Sequence, residues 1–254
     1  MKYDTLPVWL RHIWLAAVLL TRLPLPRLPE AAFKNGAQAV WSYPLAGVLV
    51  AAISGSVGVA LMALGLPAPL AAGAVLVVAF FVTGAMHEDG LADVADGFWG
   101  GYTPDRRLAI MRDSQIGTYG VLALAVSTAL RWGALAYLLP TGMLPWIVAA
   151  ACSRAVMPWL MYTLPRARSD GLSHSVGQPG RAAVVTGSAL AFGLAVFFLG
   201  WAGLVVVLIV TMITIGMGYL AKIKIGGQTG DVLGCTQVVA ETTALLACVM
   251  LLAS

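Results

Sequence analysis

The sequence predicts an all-α, polytopic membrane protein, a single bundle of about seven to eight transmembrane or interfacial helices. Of the 254 residues, 60% are hydrophobic and only 10% are charged, and the mean hydropathy is +0.89. A soluble domain carries roughly 25% charged residues, so this composition calls for lipid as the solvent. We find neither the two-residue alternation of a membrane barrel nor a linker that would divide residues 1–254, which we interpret as one domain.

Seven apolar segments have the length of a membrane crossing, which takes about 20 helical residues. They are residues 37–65, 70–86, 118–139, 144–164, 182–200, 202–221 and 232–253. The uncharged stretch after Arg181 is too long for one crossing, so we expect a turn near Gly200. A shorter apolar run, Val8–Leu20, is either a tilted first crossing or a helix lying in the interface.

The loops between these segments alternate in charge. Loops 66–69 and 140–143 and the turn near Gly200 carry no charge. The other loops carry Arg22, Arg27, Lys34, Arg106, Arg107, Arg112, Arg166, Arg168, Arg181, Lys222 and Lys224. Because basic residues concentrate in cytoplasmic loops, we expect the charged loops to face the cytoplasm. Their dispersal over several loops argues for the lipid bilayer as a partner and against nucleic acid.

Three aspartates, Asp89, Asp93 and Asp96, are spaced four and three residues apart in the segment HEDGLADVADGFWGG. This spacing places them on one face of a helix, where like charges repel each other. Mg²⁺ would offset the repulsion, since it prefers carboxylate oxygens and substrate phosphates. The sequence therefore predicts a magnesium site on this carboxylate ladder, the alternative being a solvated acidic face. We interpret the flanking Gly90 and Gly97 as allowing a bulky anionic ligand to approach the backbone.

Arginines and a histidine lie in the same set of loops. Arginine forks match phosphate oxygens, which makes Arg112, Arg166 and Arg168 candidate phosphate ligands, with Ser114 beside the first of them. His87 is a candidate acid–base group, although a lone histidine is more often structural.

A glycine-rich segment, KIKIGGQTGD, precedes the last apolar segment. Gly226 and Gly227 give it a flexible backbone, and Gln228 and Thr229 add polar atoms. A turn of this kind before a helix can bind phosphate through free backbone amides. Asp231 is either a site residue or the N-cap of the helix that follows.

Three charged residues fall inside predicted crossings. Glu241 and Arg154 lie at similar depths, so they either form a structural pair or line a polar cavity that binds substrate. Arg131 lies nearer the opposite side, and the sequence offers no partner for it.

Five segments together resemble the cobalamin-5'-phosphate synthase family, whose members are also called adenosylcobinamide-GDP ribazoletransferases. They are LTRLPLP (20–26), TGAMHEDGLADVADG (83–97), IMRDSQIGTYG (110–120), the SR of ACSRAVMPWLMY (151–162), and GGQTGDVLG (226–234) followed by Glu241. The resemblance implies an inner-membrane enzyme that joins adenosylcobinamide-GDP to α-ribazole or α-ribazole 5'-phosphate. The implied products are adenosylcobalamin or its 5'-phosphate and GMP, and the implied cofactor is Mg²⁺.

Combined with the residue chemistry, the resemblance gives each polar group an expected role. Asp89, Asp93 and Asp96 would bind metal, and Asp113, Asp231 or His87 would act in catalysis. The expected substrate contacts are Arg112, Ser114, Arg154, Arg166, Arg168, Gly226, Gly227, Gln228, Thr229 and Glu241. The alternatives are a CDP-alcohol-type membrane phosphotransferase or a divalent-cation transporter with the ladder as its selectivity site. Homo-oligomers and association with other B12 assembly enzymes stay open.

Overall fold

The protein is all-α, as predicted, in a computed structural model that describes residues 5–26, 28–33 and 36–252. Arg27 and Lys34, two of the basic loop residues, lie outside the described residues. The helices are α1 (Val8–Leu20), α2 (Glu30–Phe33), α3 (Gly36–Ala39), α4 (Tyr43–Ala63), α5 (Ala68–Thr83), α6 (Met86–Gly100), α7 (Pro104–Ile110), α8 (Thr118–Leu138), α9 (Leu144–Thr163), α10 (Leu172–Val176), α11 (Arg181–Leu199), α12 (Trp201–Ile225) and α13 (Gly230–Leu252).

Six helical segments within the described part of the chain are long and apolar enough to cross a membrane. One is the segment 36–63, in which a short 3-10 turn joins α3 to α4. The others are α8 with the 3-10 turn at its end, α9, α11, α12 and α13. The protein is therefore a multi-pass membrane protein. We call the end of the bundle that carries loops 87–117, 165–181 and 222–231 the charged end.

The predicted crossings agree with these helices within a few residues, except at the segment 70–86. There α5 ends at Thr83, and both Gly84 (φ +66°) and Ala85 (φ +53°) adopt the left-handed conformation. Beyond them α6 leaves at an angle of 90°, and only together do α5 and α6 reach the length of a crossing. This bend directs α6, with all three predicted ladder aspartates, towards the charged ends of its neighbours.

The first helix is too short to span the membrane alone. Its 13 residues extend about 20 Å, whereas the hydrocarbon core is about 30 Å thick. It packs on α3 and α4, where Leu15 and Ala16 are fully buried. His12 fixes this contact, because its Nδ1 accepts a 2.9 Å hydrogen bond from the Trp41 indole. The interfacial alternative for α1 is therefore favoured.

Helix α9 lies at the centre of the bundle and packs against α4, α11 and α13. Small residues allow its backbone to approach α4 closely: a Cβ on Gly47 would clash with the carbonyl oxygen of Ala150. The Trp146 indole crosses the same interface and donates a 3.0 Å hydrogen bond to Ser54 Oγ. Close contact between small residues is a common way to hold membrane helices together.

We expect Gly47→Ala to destabilise the protein by about 1–3 kcal/mol, because the added methyl group overpacks the α4–α9 interface. Thermal unfolding of the purified protein in detergent measures this. Gly133→Ala is the matched control, since a Cβ on this α8 residue meets no atom within 4 Å; alanine there should be neutral or stabilising. Equal losses in both variants would contradict the close-contact explanation.

Candidate functional site

Helix α6 crosses the beginning of α13 through glycine contacts. A Cβ on Gly90 would lie 2.7 Å from the Asp231 carbonyl oxygen, and one on Gly234 would lie 3.2 Å from the Cα of His87. Our interpretation of Gly90 as space for a ligand was therefore wrong, since α13 occupies that space. The contact instead brings the first part of the ladder to the first turn of α13.

Gly97 has an equally structural role. A Cβ at this position would clash with the Met111 side chain, which follows α7 and is buried. The glycine lets the chain after α6 fold back onto the helix, so the predicted approach of a ligand was wrong here too.

Three carboxylates from two helices gather at the charged end. Asp89 and Asp231 line one cavity of about 180 Å³. Asp93 is half-buried on α6, outside the six spanning segments. Burial, together with the neighbouring Asp231 and Asp89 carboxylates, raises the pKa of Asp93 to about 7. We call Asp89, Asp93 and Asp231 the acidic cluster.

Arg168 provides the positive charge of this cluster. Its Nη1 lies 3.1 Å from Asp231 Oδ2, and its Nη2 donates to the Leu108 carbonyl at 3.4 Å. Its Nε is buried and has no hydrogen-bond partner among the described residues. Because buried polar atoms are nearly always hydrogen-bonded, this free donor at the cavity suits an anionic ligand.

Asp96 faces a different neighbour from the other two ladder residues. Its carboxylate accepts hydrogen bonds from the backbone amides of Gly117 (2.7 Å) and Gly120 (2.9 Å). These amides lie at the positive N-terminal end of α8, where a carboxylate is stabilised. Neither glycine has room for a Cβ beside this carboxylate. Asp96 is thus committed to holding α6 against α8.

Metal binding by the ladder stays a prediction. Within residues 5–26, 28–33 and 36–252, no three histidine, cysteine or acidic side chains are grouped closely enough to hold a metal ion. The acidic cluster nevertheless has the right chemistry, since carboxylate oxygens are hard ligands and Mg²⁺ commonly uses one or two of them with substrate phosphates.

The segment after α7 lies apart from the cavity. Arg112 pairs with Asp170 at 2.9 Å, and both side chains are more than half exposed. Asp113 is exposed and accepts from the Gln115 amide at 3.1 Å, and Ser114 is exposed too. Of these residues only Asp170 lines the cavity. The predicted binding roles of Arg112 and Ser114 and the catalytic role of Asp113 stay predictions without support from this geometry.

The glycine-rich segment is used mainly to terminate and start helices. Gly226 (φ +78°) ends α12, and its amide donates to Lys222. Thr229 Oγ1 accepts from the Val232 amide at 3.3 Å, so the cap of α13 is Thr229, and the N-cap alternative for Asp231 was wrong. We expected backbone amides free to bind phosphate in this segment, but the amides of Gly226 and Gln228 both donate to backbone carbonyls.

The segments 165–167 and 227–228 are held together by backbone bonds. Gln228 donates its amide to the Pro165 carbonyl, and the Ala167 amide donates to the Gln228 carbonyl, both at 2.9 Å. Gly227 has no room for a Cβ beside Pro165. The Gln228 side chain bonds Ser173 on α10 at 2.7 Å. These contacts position Arg168 over the cavity.

Arg166 points elsewhere in this arrangement. Its guanidinium is exposed and lies 3.4 Å from His174 Nδ1, and it does not line the cavity. Of the three predicted phosphate-binding arginines, Arg168 is therefore the one that the fold brings to the acidic cluster.

A buried charge network fills the bundle below the cavity. Glu241 accepts from Arg154 at 3.2 Å through one carboxylate oxygen and from Arg131 at 3.2 Å through the other. Arg131 also donates to Glu88 at 2.8 Å, and Gln237 donates to Glu241 at 2.9 Å. The structural alternative for Arg154 and Glu241 is thus what the structure shows, and both residues are absent from the cavity lining.

Sequence reasoning missed Glu88, although it left Arg131 without a partner. The signal was available, because a buried arginine requires an anion and Glu88 directly precedes the ladder. The pair spans 43 residues of sequence, and only the bend after α5 brings the two together.

A second, larger cavity of about 460 Å³ lies between α9, α11 and α12. Its lining is mainly apolar, with Lys222 at one end, and it includes no member of the acidic cluster. The chemistry-bearing groups therefore belong to the smaller cavity.

Fold and site together define a polytopic membrane enzyme with an acidic, arginine-edged cavity at its charged end. Residues 12–249 match the family described as Cobalamin-5-phosphate synthase. The chain belongs to this family and is a transferase of cobalamin biosynthesis.

Curated relatives support the assignment along nearly the whole chain. A protein of Sinorhizobium sp named adenosylcobinamide-GDP ribazoletransferase is 45% identical over 240 residues, which is 89% of this chain and 91% of the relative. A relative with the same name in Mesorhizobium japonicum is 42% identical, over 96% of this chain and 95% of the relative. Another in Bradyrhizobium diazoefficiens is 43% identical, over 91% of this chain and 90% of the relative. No solved structure matches the chain significantly.

We expect Glu241→Gln to destabilise the protein by about 3 kcal/mol, because it leaves two buried arginines with too little negative charge. Thermal unfolding in detergent measures the change. Arg112→Gln is the control, since it removes one partner of an exposed pair worth less than about 1 kcal/mol. If Glu241→Gln unfolds like the unmodified protein but loses substrate affinity, the predicted substrate-binding role is correct and the structural role is wrong.

Proposed function

We propose that this enzyme transfers the adenosylcobinamide phosphate moiety of adenosylcobinamide-GDP to the 3'-hydroxyl of α-ribazole or α-ribazole 5'-phosphate, releasing GMP. The observation that carries the proposal is one cavity lined by two members of the acidic cluster, Asp89 and Asp231, and by Arg168, whose Nε has no partner among the described residues. The names of the relatives favour this reaction over a CDP-alcohol donor. A transporter would leave the arginine beside the cluster without a purpose.

The acidic cluster suits Mg²⁺ as cofactor. Asp89 and Asp93, one helical turn apart on α6, would hold the ion, with the donor's phosphate oxygens completing its coordination. When bound, Mg²⁺ supplies charge neutralisation to the diphosphate and makes its phosphorus more electrophilic. The raised pKa of Asp93 agrees with such a role, since a cation would favour its charged form.

Arg168 would bind the donor diphosphate. Its Nη1 is held by Asp231 at 3.1 Å, which fixes the plane of the guanidinium. The buried Nε is then free to donate to a phosphate oxygen. A preorganised donor of this kind stabilises the additional negative charge of the transition state.

Asp231 is the better placed of the two carboxylates considered as general base. It lines the cavity, whereas Asp113 is exposed on the segment outside it. The acceptor's 3'-hydroxyl would give its proton to Asp231 as its oxygen bonds to the cobinamide-side phosphorus. The bond from that phosphorus to the GMP oxygen breaks, and GMP leaves with the bonding electrons.

The charged end would face the cytoplasm of a cell with this protein in its inner membrane. Its loops carry basic residues, and the turns at the opposite end carry none, which is the distribution of cytoplasmic loops. Both substrates would then reach the cavity from the cytoplasm.

We expect Asp93→Asn to abolish GMP release, with a fall of at least about 100-fold in kcat, because the metal and diphosphate lose a charged ligand. GMP is measured by chromatography after incubation with both substrates. Asp105→Asn is the matched control, since Asp105 is an exposed acid at the start of α7. Turnover that survives in Asp93→Asn, with unchanged thermal stability, would refute the role of the acidic cluster.

We expect chelation with EDTA to stop GMP release and Mg²⁺ to restore it. Binding of Mn²⁺ as a probe, followed by electron paramagnetic resonance without substrate, separates metal binding from turnover. Asp89→Asn should weaken Mn²⁺ binding, because it removes a negatively charged oxygen ligand. Asp96→Asn should leave Mn²⁺ binding intact and lower thermal stability, because its carboxylate holds α8. Equal loss of Mn²⁺ in both variants would instead support the full three-aspartate ladder.

A further inference from the structure

The cavity lined by Asp89, Asp231 and Arg168 has a second, apolar half. Its lining there includes three methionines, Met86, Met157 and Met161, together with Leu20 and Val176. Met157 and Met161 are only 3% exposed and lie one turn apart on α9. Methionine is flexible and makes favourable contacts between its sulfur and aromatic rings. This half therefore suits a flat, apolar ring and offers little to a charged group.

Two polar side chains, Tyr43 and His87, interrupt this apolar surface. His87 lines the cavity and is 2% exposed, and its Nε2 has no hydrogen-bond partner in the part of the chain that the structure describes. A buried ring nitrogen without a partner is unfavourable. A ligand with one complementary polar atom in an otherwise apolar ring would satisfy it.

We propose that the apolar half of the cavity binds the base of the ribazole acceptor, with His87 Nε2 hydrogen-bonded to the free ring nitrogen of the base. This inference rests on the proposed function. The base of ribazole is a methylated benzimidazole, which is flat and apolar. One of its two ring nitrogens carries the ribose, so a single nitrogen is left to accept a hydrogen bond. With the base there, the ribose extends towards Asp231, which lines the same cavity.

The guanine of the donor is the other flat base in the reaction, and it fits this half poorly. Its edge carries a carbonyl, an amino group and ring nitrogens, and each needs a partner when buried. Against methionine and leucine most of these atoms would stay unpaired, because His87 and the Tyr43 hydroxyl are the two polar groups on this side and cannot satisfy all of them. A hydrogen-bonding mismatch of this kind discriminates strongly between ligands.

The volume of the cavity agrees with a fragment of this size. A site that encloses a whole drug-sized ligand has about 300–1,000 Å³, whereas this cavity has about 180 Å³. It can take a bicyclic base and part of a ribose. The much larger corrinoid ring of the donor must stay outside it.

The first test separates the KM values of the two substrates. Met161→Ala should raise the KM for α-ribazole about tenfold through lost contact with the base, without raising the KM for adenosylcobinamide-GDP. Met161→Leu, which conserves volume, should largely restore it. Met111→Ala is the matched control, since Met111 is also 3% exposed but lies outside the cavity lining. A rise in the donor KM alone would assign the cavity to guanosine, and no change in either KM would overturn the proposal.

The second test uses the unmodified protein, so it holds if the variants fail to fold. Free 5,6-dimethylbenzimidazole should inhibit competitively against α-ribazole and not against the donor. Its binding is also measured by calorimetry without Mg²⁺ or donor, where His87→Phe should weaken it about tenfold. Binding of the free base without turnover would retain this site while the proposed reaction fails. Turnover without competition by the free base would do the reverse.

Discussion

The geometry of the site depends on the neutralisation of charge inside the bundle. Two arginines, Arg131 and Arg154, are about 2% exposed, and an unpaired charge in this environment is severely unfavourable. Glu241 on α13 pairs with both, and Glu88 on α6 pairs with Arg131 of α8. Four helices, α6, α8, α9 and α13, are thereby tied at one point. Because Glu88 directly precedes Asp89, the same contact sets where the acidic cluster begins.

A second electrostatic contact fixes the far end of α6. Asp96 accepts from two amides at the start of α8, and Lys224 donates to the Phe98 carbonyl at 3.0 Å. Arg107 donates to the carbonyls of Gly101 and Lys224. Several of the charges that mark this end in the sequence thus terminate helices, and they are unavailable for phosphate. Between the two fixed ends, Asp93 is left half-buried beside α13.

The spanning helices could be predicted because each is a long apolar segment, and hydropathy is local in sequence. The bend after α5 could not, since the apolar run continues through Gly84 and Ala85 to Met86. The ladder was predicted on one helix face, which is how α6 presents it. However, Asp89 and Asp96 are separated by seven residues, or about 10 Å along the axis. That distance is enough for one end to meet α13 and the other to meet α8, and no local pattern reveals those partners.

The glycines beside the aspartates illustrate the same limit. A glycine next to a carboxylate has the same sequence pattern whether a ligand or another helix approaches it. Gly90 and Gly234 show that here the second helix takes the space. The close crossing of α6 and α13 in turn brings together carboxylates from two helices. A site built on one helix would have only the carboxylates of that helix. Asp231 was predicted as a catalytic candidate from its place in a polar turn, and its position beside Asp89 and Asp93 could not be predicted because it depends on this crossing.

The two halves of the cavity suggest why such an enzyme benefits from a membrane fold. The apolar half is formed by methionines of α6 and α9 and by α1, where the packed bundle ends, and the polar half by segments 168–171 and 229–231 of the charged end. An apolar ligand and a charged ligand can be held side by side only where the apolar core of the protein meets water. Because the spanning helices are mostly apolar and the charged loops gather at one end of the bundle, that boundary lies at the membrane surface. Under the proposed function, the 3'-oxygen of a ribose that carries an apolar base must bond to the phosphorus of a charged diphosphate, and this boundary is where the base and the diphosphate can both be desolvated by suitable partners.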